Sequence, residues 1–122
     1  MDWTMNYQER VGRWMLACFG RHISRDRAER NYRFLEEALE LVQSTGCTAH
    51  EAHQLVDYVF NRPSGDPVQE LGGTPVTLAA LATANGLNLN IAAETELERN
   101  WQIIEKIRAK WAAKPKFSPL PQ

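Results

Sequence analysis

A chain of 122 residues, 43% of them hydrophobic, suits one domain with a moderate core and leaves little material for a second. The formal charge of −1 and a pI near 6.3 exclude any overall electrostatic drive toward nucleic acid or an anionic membrane, so a basic site must be local. Cys18 and Cys47 have neither CxxC spacing nor zinc-like neighbours, which predicts reduced thiols and a cytoplasmic setting. No apolar run approaches the roughly 18 residues of a membrane span, and Met1-Asp2-Trp3-Thr4 lacks the basic-then-apolar order of a secretion signal.

In chain order, Asn6-x-x-Glu9 reads as a capping box, followed by a helical stripe of Tyr7, Val11, Trp14 and Cys18. Gly20 is the predicted stop of this first helix, with Ser24 as the cap of the next. The second helix, residues 25–43, opens with Arg25, Arg27, Arg30 and Arg33 and then turns acidic. Arginines at a helix N-terminus oppose the macrodipole, so they either pair with acidic neighbours or hold an anion. Ser44-Thr45-Gly46 ends it.

Thr48-x-x-Glu51 is a second capping box. It opens a helix to residue 60 whose apolar side is Ala52, Leu55, Val56, Val59 and Phe60; His50 and His53 lack the order or partners of a metal motif and read as exposed. Residues 61–65 form a loop, after which Asp66 as N-cap, Pro67 as first helical residue and Gln69 make a strong helix start. That fourth helix runs to Asn85-Gly86 and contains Pro75, which predicts a kink or break between Gly72 and Pro75. The last helix, residues 90–112, carries Leu97, Trp101, Ile104 and Trp111 at helical spacing, acids at its start and Lys106, Arg108 and Lys110 at its end, as the dipole favours. No stretch alternates like a strand, so the class is all-α: about five helices over residues 1–113, then a proline-containing extended tail over residues 114–122.

One run is chemically suggestive. In Glu36-Glu37-Ala38-Leu39-Glu40, at about 100° per residue, Glu36 and Glu40 lie about 40° apart and Glu37 about 60° further round. Three carboxylates share one helix edge, with Phe34, Leu35, Ala38, Leu39, Leu41 and Val42 on the other arc. Glutamates at i and i+3 can give two oxygens to Mg²⁺, a hard cation that keeps some of its water. The same run also occurs on ordinary solvated helices, because Glu is a good helix former.

The second stretch is Glu70-Leu71-Gly72-Gly73-Thr74-Pro75-Val76-Thr77-Leu78, with Gly86-Leu87-Asn88-Leu89 beyond it. Taken with Glu36 to Glu40, it resembles the MazG-type, all-α nucleoside triphosphate pyrophosphohydrolases, which carry EExxE on one helix and ExxD on another. The likeness spans about residues 28–110. Glu36-Glu37-Ala38-Leu39-Glu40 matches the first motif; in the second, Gly73 stands where the family has aspartate. The resemblance implies a helical bundle in which Glu37, Glu40 and Glu70 hold Mg²⁺ or Mn²⁺. By the same resemblance Glu36 would be the general base or an outer ligand of the metal, and Lys106, Arg108 and Lys110 would meet the phosphates. In the reaction that the resemblance implies, the metal would neutralise the triphosphate and water would attack, releasing pyrophosphate and a nucleoside monophosphate. Water, or an acid such as Asp57 or Glu94, would fill the place vacated at Gly73; otherwise the domain is a non-catalytic nucleotide- or protein-binding module.

Bundles this short often associate as homodimers or homotetramers, with Trp14, Trp101 and Trp111 as candidate subunit contacts, base-stacking residues or core residues. A third reading, nucleic-acid binding through the basic residues of 21–33 and 106–116, lacks a recognition motif.

Overall fold

The computed structural model describes residues 5–113 and 118–120, and those residues are all-α. Among them, six helices follow one another: α1 (Tyr7–Ser24), α2 (Arg27–Ser44), α3 (Ala49–Phe60), α4 (Pro67–Ala84), α5 (Leu89–Gln102) and α6 (Ile104–Ala112). Of the expected tail, 114–117 and 121–122 lie outside the described residues.

The local signals account for most boundaries. Asn6 Oδ1 accepts from Glu9 N at 2.8 Å and starts α1. The Thr48–Glu51 box is present in both directions, Thr48 N donating to Glu51 Oε1 at 2.9 Å and Glu51 N to Thr48 Oγ1 at 3.2 Å. Asp66 accepts from Gln69 N at 3.0 Å with Pro67 in the first turn. Two helices stop in the same way: Cys47 N reaches Val42 O and Leu87 N reaches Ala82 O, each at 2.9 Å, across Gly46 (φ 101) and Gly86 (φ 67).

Three expectations need correction. Gly20, at φ 78 and ψ 173, breaks the helical run as expected, but a further helical turn, not a loop, follows it to Ser24. Ser24 therefore belongs to α1, donating to Gly20 O at 2.6 Å, and the cap of α2 is Asp26, which accepts from Glu29 N at 3.2 Å. The stretch 90–112 is two helices, parted at Ile103 (φ −118, ψ 29), where neither proline nor glycine marks the break. Conversely, α4 runs unbroken through Pro75. Within that turn, Thr74 Oγ1 donates to Glu70 O and Thr77 Oγ1 to Thr74 O, both at 3.0 Å, adding side-chain bonds where proline supplies no N–H.

The chain divides into two units, one drawn from Met1–Glu36 with Ala92–Gln122 and the other from Glu37–Ile91. The first holds the buried residues, Cys18 and Leu97. There α1 packs on α6, with Phe19 edge-on to Trp14 at 5.8 Å between ring centroids and tilted against Trp111 at 6.0 Å. Arg108 on α6 donates through Nε to Cys18 O at 2.6 Å and through Nη2 to Ala17 O at 2.7 Å. These carbonyls lie in the turn that precedes the Gly20 kink, so the guanidinium ties α6 to the backbone of α1 beside it.

The second unit contains the end of α2, all of α3 and α4, and the first turn of α5; none of residues 37–91 is buried. The apolar side expected for α3 is open, as are Val68, Leu71 and Val76 of α4.

Candidate metal and phosphate site

Glu36, Glu37 and Glu40 all lie on α2, which is helical without interruption from Arg27 to Ser44, so their spacing on one edge holds. Glu36 is part-covered and accepts from Arg33 Nη1 at 3.1 Å. Arg33 also meets Glu29 at 3.1 Å and donates to Pro119 O at 2.7 Å. That settles one half of the basic turn: Arg33 serves acidic neighbours on its own helix, at i−4 and i+3.

Arg30 behaves differently. Its guanidinium lies over the Phe19 ring at 5.7 Å, its Nε and Nη2 are buried without a hydrogen-bond partner, and burial holds its pKa below the ordinary arginine value.

Glu37 and Glu40 are exposed on the part of α2 that belongs to the second unit. Glu70 is exposed in the first turn of α4, where a carboxylate favours the positive end of the helix dipole. Its side chain leans back over the preceding loop: a Cβ at Gly65 would sit 2.7 Å from Glu70 Oε1. Gly73 faces open space, with no atom within 4 Å of where its Cβ would be. These glutamates are hard oxygen donors of the type Mg²⁺ takes. Among the described residues, however, no three His, Cys, Asp or Glu side chains are gathered so that they could hold a metal ion. The donor chemistry therefore fits a divalent cation, while the described residues of one chain do not gather three such ligands.

Of the two acids considered for the place at Gly73, Glu94 is engaged elsewhere. Arg10 grips it through both guanidinium ends, Nη1 to Oε2 at 2.7 Å and Nη2 to Oε1, and this holds the Glu94 carboxyl below the usual range. Asp57 is exposed on α3. Of the basic candidates, Lys106 and Lys110 are exposed on α6, whereas Arg108 is occupied at the α1 kink and with Glu105. His50 and His53 are exposed, and Cys18 and Cys47 are free thiols, as the sequence predicts.

The first unit also holds a feature the sequence did not signal. A cleft of about 510 Å³ is lined by Arg10, Arg13, Glu94, Leu97, Glu98 and Trp101 among others. Tyr7 Oη donates to Ala93 O at 3.0 Å, and its pKa is raised, first by burial and then by Glu94. These partners lie more than 80 residues apart in sequence, so no local spacing announces them. Comparison of the chain with family models, with curated proteins and with solved structures finds no match.

Proposed function

We propose that the protein is a Mg²⁺-dependent nucleoside triphosphate pyrophosphohydrolase, releasing pyrophosphate and a nucleoside monophosphate, and that it works as a homodimer or homotetramer in the cytoplasm. The observation that carries this reading is the placement of Glu37 and Glu40 at i and i+3 on an uninterrupted helix, both exposed, with Glu70 exposed at the start of another helix of the same unit. The resemblance to MazG-type motifs names the reaction. A Mg²⁺ ion held there would neutralise the triphosphate charge and make a bound water more acidic. Glu37, Glu40 and Glu70 are its proposed ligands, and Glu36, held in place by Arg33, is the proposed base. Lys106, Lys110 and Arg108 are the proposed phosphate contacts. Two unpaired cysteines support the reducing compartment. Among the described residues no single helix is long and apolar enough to cross a membrane.

The test is pyrophosphate release from a panel of ribo- and deoxyribonucleoside triphosphates with and without Mg²⁺. Metal-dependent release by the native chain and its loss in Glu37→Gln are expected; native-like turnover in that variant removes the ligand assignment.

A second reading has its own support. Gly73 offers no oxygen, and the single chain gathers no three-ligand group among its described residues, both of which favour a MazG-like module that binds nucleotide or protein without turnover. Saturable nucleotide binding without product, at any metal concentration, would select it.

A further inference from the structure

The cleft in the first unit lies between α1 and α5, and its volume of about 510 Å³ falls in the range of small-molecule sites, roughly 300–1,000 Å³. Tyr7 Oη on Ala93 O and the Arg10 fork on Glu94 tie the two helices together along one turn. One turn further on, Arg13 at i+3 from Arg10 and Glu98 at i+4 from Glu94 line the same cleft. There the pairing stops. Both side chains are exposed, and among the described residues neither makes a hydrogen bond or an ion pair. Between the charges the lining is apolar: Leu97 is 5% exposed, and Trp101, at i+4 on the same face of α5, is 43% exposed.

We propose that this cleft binds a free α-amino acid with an aromatic or large aliphatic side chain. Its carboxylate meets Arg13, its ammonium meets Glu98, and its side chain lies on Leu97 and Trp101. None of these four residues belongs to the metal, base or phosphate positions proposed above, so the inference stands independently of the nucleotide reading.

Charge selects the ligand. Arg10 and Glu94 satisfy each other, which leaves one cation and one carboxylate to be matched. A guanidinium fork takes a carboxylate through two parallel hydrogen bonds, and a carboxylate accepts from an ammonium with the same charge assistance. A zwitterion supplies both partners and keeps the cleft neutral. An anion alone would sit beside the unmatched Glu98, a cation alone beside the unmatched Arg13, and a polyanion such as a triphosphate would face two carboxylates. An uncharged apolar molecule would use Leu97 and Trp101 but neither charge. The indole supplies broad apolar area, and Gln102, the last residue of α5, adds an amide that can donate and accept.

The experiment is a ¹H–¹⁵N chemical-shift titration of the full chain with L-phenylalanine, for which a ligand of that size supports a Kd of about 1 mM or tighter. Saturable shifts are expected at the amides of residues 94–102 and at the Trp101 indole N–H. A charge-assisted hydrogen bond in a partly exposed site is worth about a factor of ten in affinity. By that measure 3-phenylpropionate, which lacks the ammonium, and 2-phenylethylamine, which lacks the carboxylate, should each bind about tenfold more weakly. L-alanine, with both charges and little apolar surface, should also bind more weakly. Arg13→Gln and Glu98→Gln should each weaken L-phenylalanine about tenfold, while Arg99→Gln, paired with Glu96 away from the cleft lining, should leave it unchanged. Absence of saturable shifts at these residues overturns the proposal. So do equal affinities for the one-charge analogues, which would make the cleft a plain apolar slot, or native affinity in either charge variant. Should a variant's spectrum depart from the native one outside the cleft, the analogue series on the native chain decides. Displacement of L-phenylalanine by ATP would assign the cleft to the nucleotide and overturn the amino-acid site.

Discussion

Removing the Arg108 guanidinium should unlatch the kink in α1. Its Nε and Nη2 bonds to Cys18 O and Ala17 O, at 2.6 and 2.7 Å, hold the turn before Gly20 and tie α6 to α1. A hydrogen bond with one charged partner contributes about 1.5–3 kcal/mol. The side chain is half-exposed, so screening takes part of that away. We expect Arg108→Ala to cost about 2–3 kcal/mol, and Arg108→Lys about half as much, because a lysine can satisfy one carbonyl but cannot fork across two. The assay is urea unfolding followed by helical circular dichroism, with all variants at one protein concentration, since self-association shifts apparent stability. A loss below about 0.5 kcal/mol for Arg108→Ala, within the range of an ordinary surface substitution, would refute the latch. The same variant separates two assignments: a raised KM for triphosphate with unchanged unfolding would support the proposed phosphate contact of Arg108 and not the latch.

Three other expectations follow from the same geometry. Thr48→Ala removes the side-chain acceptor of the α3 capping box and should cost about 1 kcal/mol by thermal unfolding; an unchanged midpoint would contradict the box. Glu51 accepts first from the Thr48 backbone N–H and then from its hydroxyl, which holds its folded pKa below the usual carboxyl value. Its contribution is therefore present above the unfolded carboxyl pKa and lost as pH falls through the lower folded value. Stability measured from neutral to acid should fall in that window, and less steeply in Thr48→Ala; parallel curves would remove the link. Gly73→Asp places a carboxylate in open space on a helix where glycine and aspartate differ by only a few tenths of a kcal/mol, so stability should stay within about 0.5 kcal/mol. On the proposed reading it should raise Mg²⁺-dependent pyrophosphate release, and unchanged turnover with tighter metal binding would confine the added oxygen to a structural role.

The helix caps were legible because they are local chemistry. Asn6, Thr48 and Asp66 each accept an N–H three residues on, and a side chain that short finds its partner wherever the chain turns into a helix. Asp26 and Asn88 do the same, the first of them at a cap where the sequence predicts Ser24. Sequence rules failed where two signals compete. Pro75 predicts a kink or break in α4, and the helix runs through it without a break; no such residue stands at Ile103, and there the helix parts. The Trp residues expected at a subunit contact divide as well: Trp14 and Trp111 are engaged with Phe19, while Trp101 is exposed and borders the cleft.

What the sequence determined alone is the all-α class, the order of the helices and the shared edge of Glu36, Glu37 and Glu40, because capping and a period of 3.6 depend only on residues within a turn or two. What only tertiary structure decided is which apolar faces are covered and which charges are spent. Arg10 with Glu94, and Arg108 with Ala17 and Cys18, join residues 84 to 91 positions apart, and no local rule reaches that far. The stripe on α3 looks the same in sequence as the one on α1; packing against α6 covers part of the second, while Leu55, Val56, Val59 and Phe60 stay open.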